Sequence, residues 1–163
     1  MQISELLKYL RVNPRLSVDT ATYYHIIMPF LTSEPHLIEQ AFHVVLPMEL
    51  RDIWRTASTM AFCYDALYGQ WGMILWSPEQ VLVKHQFFKN IRPQEYADGD
   101  LIIGEFLGDN DLVVLRCDPN SGDFGSVLIS LPIDPREDWY RCALSLNELI
   151  RGLIDNPGKK YWE

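Results

Sequence analysis

The sequence has 163 residues, of which 48% are hydrophobic and 22% are charged, a composition typical of a folded globular chain and not of a disordered or repetitive one. Its formal net charge is −8, which repels phosphate groups and anionic lipids and therefore disfavours nucleic acid and membranes as partners. A basic protein is the kind of partner that this charge favours.

The first half of the sequence has the hydrophobic spacing of amphipathic helices. We predict four of them, the first ended by Asn13 and Pro14, the second capped by Asp19, the third following Ser33, and the fourth opened by Pro47. The apolar stripes that predict these helices are Ile3, Leu6, Leu7 and Leu10; Tyr23, Ile26, Ile27 and Phe30; Leu37, Ile38, Ala41, Phe42 and Val45; and Leu50, Ile53, Trp54 and Ala57.

The second half changes to the short apolar and alternating patterns of strands. The predicted strands cover residues 71–76, 101–107, 112–117 and 125–131. Turn sequences rich in Gly, Asp and Asn separate the last three, which predicts an antiparallel meander. Ser77 and Ser145 each begin a capping-box sequence and predict two further helices, the second of which closes the chain. Helices, then a mostly antiparallel sheet, then a closing helix define an α+β fold.

The three cysteines indicate a reducing environment. Cys63, Cys117 and Cys142 have neither the spacing of a zinc motif nor that of a disulfide framework, so we expect small buried thiols. No stretch has the apolar length of a secretion signal or a membrane span, which favours a cytoplasmic location. Because no linker or internal repeat divides the chain, we expect one domain over residues 1–163.

Negative charge is concentrated in residues 98–138, which contain ten acidic residues and two arginines, whereas the rest of the chain is neutral. Trp139 follows two of these acids, and an aromatic ring bordered by carboxylates can anchor a protein partner; packing beneath the last helix is an equally good interpretation. We therefore predict a negatively charged contact surface. Its proposed members are Glu105, Asp109, Asp111, Asp118, Asp123, Glu137, Asp138 and Trp139.

The sequence lacks the motifs of common enzymes: no glycine-rich phosphate loop, no serine nucleophile elbow and no zinc-protease helix motif. All four histidines precede the acidic segment, which therefore lacks the commonest general base. Acidic residues between Asp98 and Asp111 could pair as in a glycosidase, but exposed loop charge is the favoured interpretation. We expect no catalytic residue and no cofactor.

Two patterns suggest metal sites, and each has a simpler explanation. His36, Glu39 and His43 share one helix face and could bind zinc, which leaves a metal-dependent hydrolase as a minor alternative; an exposed polar face is the favoured interpretation. Residues 118–123 resemble the start of a calcium loop, but Ile129 stands where the bidentate glutamate belongs, so we predict a turn. No metal ion is expected.

The order of the sequence motifs over residues 35–155 resembles that of the SUKH superfamily. The matching pieces are Leu46-Pro47-x-x-Leu50, Ser77-Pro78-Glu79-Gln80-Val81, Ile103-Gly104, Asp118 and Ser145-x-x-Glu148. Residues 1–34 add a segment, expected to be helical, and the usual Asn-Gly turn after the first helix of the pattern is missing. The resemblance is that of a divergent member.

The resemblance implies a non-catalytic α+β protein that binds and neutralises a toxin, often a nuclease, in the cell that makes it. A regulatory scaffold or adaptor, as in the fungal branch of the superfamily, is the alternative. The superfamily leaves the identity of the partner open.

Overall fold

The computed structural model describes residues 1–29 and 34–163, which form five α-helices and one antiparallel sheet of eight strands. The helices are α1 (Ile3–Val12), α2 (Pro35–Phe42), α3 (Met48–Thr56), α4 (Pro78–Ile91) and α5 (Leu146–Asp155). The strands are β1 (Arg15–Val18), β2 (Ala21–Pro29), β3 (Ala57–Asp65), β4 (Met73–Leu75), β5 (Asp100–Phe106), β6 (Leu112–Arg116), β7 (Val127–Ser130) and β8 (Tyr140–Ala143). The predicted α+β class is confirmed.

The sheet is a meander in which every strand pairs with the next strand along the chain. All of these pairings are antiparallel, and β1 and β8 form the two edges. The predicted hairpins between residues 101 and 131 are therefore confirmed as β5, β6 and β7. Their turns contain the Asp, Asn and Gly residues that reverse a chain without strain.

Helix boundaries follow the capping signals in the sequence. The Ser77 hydroxyl accepts a hydrogen bond from the Gln80 N–H, and the Gln80 side chain accepts one in return from the Ser77 N–H. The Ser145 hydroxyl accepts in the same way from the Glu148 N–H. These contacts satisfy N–H groups that have no partner inside the helix, which explains why α4 and α5 begin where predicted.

The predicted helix from Asp19 to Phe30 is wrong over its described residues 19–29, which form the turn after β1 and strand β2. Asp19 has a φ of +53°, so this residue reverses the chain in a turn and caps no helix. Residues 21–27 include aromatic and β-branched side chains that suit a strand, and β2 pairs with β3 on its other side. In the described part of the expected helical segment 1–34, only α1 is helical; Phe30 and Ser33 lie outside the described residues.

The core lies between the sheet and two groups of helices. α3 contacts both α1 and α5, and these three helices pack on strands β2, β3 and β8. α4 packs on β5 and contacts α2. The predicted stripes of α1 and α3 are buried, including Leu7, Ile53 and Trp54. Gly104 on β5 allows β4 to approach closely, because a Cβ atom there would clash with the carbonyl of Ile74.

Candidate protein-binding surface

Asp100, an acid of the charged segment, lies in a buried ion-pair network. Its side chain is fully buried and accepts hydrogen bonds from the guanidinium groups of Arg116 and Arg136. The backbone N–H of Ala97 donates to the same carboxylate at 2.8 Å. Arg116 also pairs with Asp123 at 3.2 Å, so these four charges neutralise one another. The Asp100 carboxylate needs these arginine partners, because an unpaired buried carboxylate is unfavourable.

Other acids of the segment also have basic partners. The Lys160 ammonium lies 2.6 Å from the Asp109 carboxylate and 2.7 Å from that of Asp111. Asp111 itself is only 2% exposed. Glu105 pairs with Lys84 at 3.2 Å and accepts the indole N–H of Trp76 at 3.1 Å. Five of the ten acids in residues 98–138 are therefore in ion pairs, and the segment carries much less free charge than its composition suggests.

The structure does not bring the predicted contact set together. Asp109 and Asp111 belong to the connection between β5 and β6, whereas Asp118 and Asp123 belong to the connection at the opposite end of β6. Glu137 and Asp138 lie in a short 3-10 turn before β8, and both are exposed.

Trp139 packs inside the molecule. It is 7% exposed, its ring centre lies 5.2 Å from that of Tyr96, and its indole N–H donates to the Asp134 carbonyl. The Arg136 guanidinium covers the ring at 5.1 Å. Of the proposed set, Trp139 and Asp111 are therefore buried, and they offer a partner almost no surface.

An exposed apolar row on α4 forms a different candidate surface. Val83, Phe87 and Ile91 are 71%, 61% and 61% exposed, and their spacing of four residues places them along one side of the helix. On the inner side of the same helix, Val81 and His85 are buried. Large apolar side chains in a row on a regular helix are typical of a contact surface for another protein.

The loop after β7 extends this surface at the end of α4. Arg92 donates hydrogen bonds to the carbonyls of Leu131 at 2.8 Å and Pro132 at 2.9 Å, and also to that of Asp134. Ile133, between these carbonyls, is 87% exposed. The Arg136 N–H donates to the Glu95 carboxylate at 2.6 Å and holds the following turn nearby. We use the name α4 surface for Val83, Phe87, Ile91, Ile133, Glu137 and Asp138.

Sequence reasoning found only the two acids of this surface. The inward stripe of α4 is predicted by Val81, Leu82, His85 and Phe88, whereas Val83, Phe87 and Ile91 lie outside that stripe. The signal was nevertheless present, because apolar residues on both sides of a helix indicate that the second side has a partner or lies in a core.

The structure does not assemble the two possible metal sites. One carboxylate oxygen of Glu39 accepts hydrogen bonds from the Leu46 N–H and from Arg51, so this side chain is already engaged. Asp118 accepts the N–H of Asn120 within its turn, which confirms the turn prediction. Within residues 1–29 and 34–163, no three His, Cys, Asp or Glu side chains are placed to hold a metal ion together.

The three cysteines are buried and free, as predicted. Burial raises the pKa of the Cys63 and Cys142 thiols to about 12 and raises that of Cys117 further. At neutral pH these groups are protonated, and a protonated thiol is a weak nucleophile. The cysteines therefore act as small apolar side chains of the core.

Comparison of the sequence with protein-family models and with curated proteins found no match. The resemblance to the SUKH superfamily thus stays a prediction based on the motifs above. Among the helices of the described residues, none has the length and apolar character needed to cross a bilayer.

Proposed function

We propose that the protein is a non-catalytic immunity protein that binds and neutralises a toxin protein in the cytoplasm, and that the α4 surface makes the contact. The observation that carries the proposal is the row of exposed Val83, Phe87 and Ile91, continued by Ile133. The class of partner comes from the resemblance to the SUKH superfamily and from the net charge of −8.

The rigidity of the row favours binding. The Phe87 ring packs edge-on against Phe88 at 5.2 Å, and Phe88 stacks on the buried Trp76 at 5.9 Å. Because these contacts already limit the freedom of Phe87, a partner loses less entropy in fixing it. A preorganised aromatic ring with aliphatic neighbours is the usual centre of a protein interface.

The charge next to the row favours a basic partner. Glu137 and Asp138 are exposed, and no ion pair engages them within the described part of the chain. Such charges mainly raise the association rate, whereas the apolar row supplies most of the affinity. A basic nuclease-type toxin would meet both requirements.

The proposed function predicts that a toxin gene lies beside the gene for this protein, and the test uses the product of that gene. Cells that express this toxin should survive when the wild-type protein is present, and the two purified proteins should form a stable complex. Phe87→Asp combined with Ile91→Asp should weaken the complex about 100-fold, because a buried interface anchor is worth about 2–4 kcal/mol.

The matched control is Val12→Asp, at an apolar side chain on α1 that is 75% exposed and lies outside the α4 surface. This variant should bind like the wild type. Unchanged affinity of the folded double variant would remove the α4 surface from the interface. Failure of the wild type to protect cells or to bind the toxin would refute the immunity function and favour a regulatory scaffold.

A further inference from the structure

A polar cavity lies beside α4, on a different side of the helix from the apolar row. Its volume is about 480 Å³, and residues 41–44, α4 and the turn at residues 98–100 line it. The lining residues from α4 are His85, Gln86 and Lys89. Cavities of about 300–1,000 Å³ commonly hold small molecules.

His85 lines this cavity, and one of its two ring nitrogens has a hydrogen-bond partner. The side chain is 1% exposed, and its Nδ1 accepts a hydrogen bond from the Ile102 N–H at 3.1 Å. Burial, more than the nearby Lys89 charge, lowers the pKa of the imidazole to about 4, so the neutral ring carries its proton on Nε2 at pH 7. No group in residues 1–29 or 34–163 accepts that proton.

Two opposite charges line the same cavity without pairing. Lys89 and Asp98 both border it, yet neither forms an ion pair with the other or with any side chain in the described ranges. The nearby Asp100 carboxylate is already engaged by Arg116 and Arg136. Among the described lysine and aspartate side chains of the cavity wall, Lys89 is thus the unpaired cation and Asp98 the unpaired anion, and both lie beside His85 in the lining.

Apolar side chains complete the wall. Phe42 lines the cavity, and its ring lies edge-on to His85 with 4.5 Å between the ring centres. Ala41 and Val44 also line the cavity. A ligand that matches this wall needs a negative group, a positive group and a small apolar body.

We propose that the cavity binds an α-amino acid with an apolar side chain. Its carboxylate accepts hydrogen bonds from the Lys89 ammonium and His85 Nε2–H, and its ammonium group pairs with Asp98. The side chain packs against Phe42. This site is independent of the α4 surface and of the toxin proposed above.

The experiment compares leucine with N-acetylleucine, which lacks the positive charge, and with leucinamide, which lacks the negative charge. Binding is followed by calorimetry and by the NMR signal of the Ile102 amide, which donates to His85. We expect leucine to bind with a Kd of about 1 mM or below, and each analogue to bind about tenfold more weakly because it loses a charge-assisted contact.

Two variants assign the contacts. Lys89→Gln should weaken the binding of leucine and N-acetylleucine but not that of leucinamide, and Asp98→Asn should weaken leucine and leucinamide but not N-acetylleucine. Lys159→Gln and Asp155→Asn are matched controls at exposed positions outside the cavity.

The controls should bind all three compounds like the wild type. The proposal fails if leucine gives no saturable binding up to about 50 mM, well above the expected Kd. It also fails if the three compounds bind equally, or if the effects of Lys89→Gln and Asp98→Asn do not follow the charge that each analogue lacks.

Discussion

The Asp100 network and the α4 surface both reverse the usual relation between polarity and burial: charged side chains are buried in the first, and apolar side chains are exposed in the second. Asp100, Arg116, Arg136 and Asp123 belong to the most charged part of the sequence, yet they pair with one another inside the fold. The α4 row is apolar, yet it lies on the outside. Charge in a sequence and charge on a surface are therefore different quantities in this protein.

The reason lies in the geometry of the two elements. Asp100 and Arg116 are direct partners across the antiparallel pair of β5 and β6, so the register of the sheet decides that these charges meet. α4 is a single helix with one side on β5, and within residues 1–29 and 34–163 its opposite side is exposed at Val83, Phe87 and Ile91. Charged residues of the meander are therefore neutralised by ion pairs across the strands, whereas the outer residues of α4 are exposed to solvent.

The largest expected effect is that of breaking the Asp100 network. Asp100→Asn should lower the free energy of unfolding by about 3–5 kcal/mol at pH 7, because it leaves buried arginine charge without its carboxylate. Urea denaturation measures this change. The neighbouring exposed Asp98→Asn should change stability by less than about 0.5 kcal/mol. Equal effects of the two variants would show that Asp100 is no more buried than Asp98.

A second prediction concerns the inner side of α4, where His85 is buried as a neutral ring. Its pKa is lowered from 6.5 to about 4, so the unfolded chain binds more protons between these pH values. The contribution of neutral His85 to the free energy of unfolding is therefore complete above pH 6.5. It declines as the pH falls towards 4, by roughly 3 kcal/mol. Burial also lowers the pKa of His25, which acts in the same direction.

Urea denaturation at several pH values tests the role of His85. His85→Gln retains an acceptor for the Ile102 N–H and should flatten the decline in stability between pH 6.5 and 4. His36→Gln is the control, because the His36 side chain is 57% exposed. An unchanged slope in His85→Gln would assign the pH dependence to other groups.

The smallest expected effect concerns the outer side of α4. Phe87→Gln should change the free energy of unfolding by less than about 0.5 kcal/mol. Phe88→Gln, one residue further and stacked on Trp76, should cost about 1–3 kcal/mol. Chemical denaturation of the two variants compares adjacent phenylalanines on the two sides of the helix. Equal losses would mean that the outer side is covered in solution.

The sequence by itself determined the elements that depend on local signals. The apolar stripes of α1 and α3, the capping box of α4, the Ser145 N-cap of α5 and the Gly-Asp turns of the meander use contacts within a few residues, and these predictions were confirmed. In α5 only the hydroxyl half of the predicted capping box forms, because the Glu148 carboxylate accepts from the Leu144 N–H and not from the Ser145 N–H. The turn at residues 118–123 belongs to the same group.

Only the tertiary structure decided the remainder. Residues 21–27 have apolar spacing that fits a helix as well as a strand, and pairing with β1 and β3 made them a strand. The partners of Asp100 and Asp111, the burial of Trp139 and the exposure of Phe87 depend on residues far apart in the chain. Local spacing does not encode such contacts, because they arise only when strands and helices have taken their places.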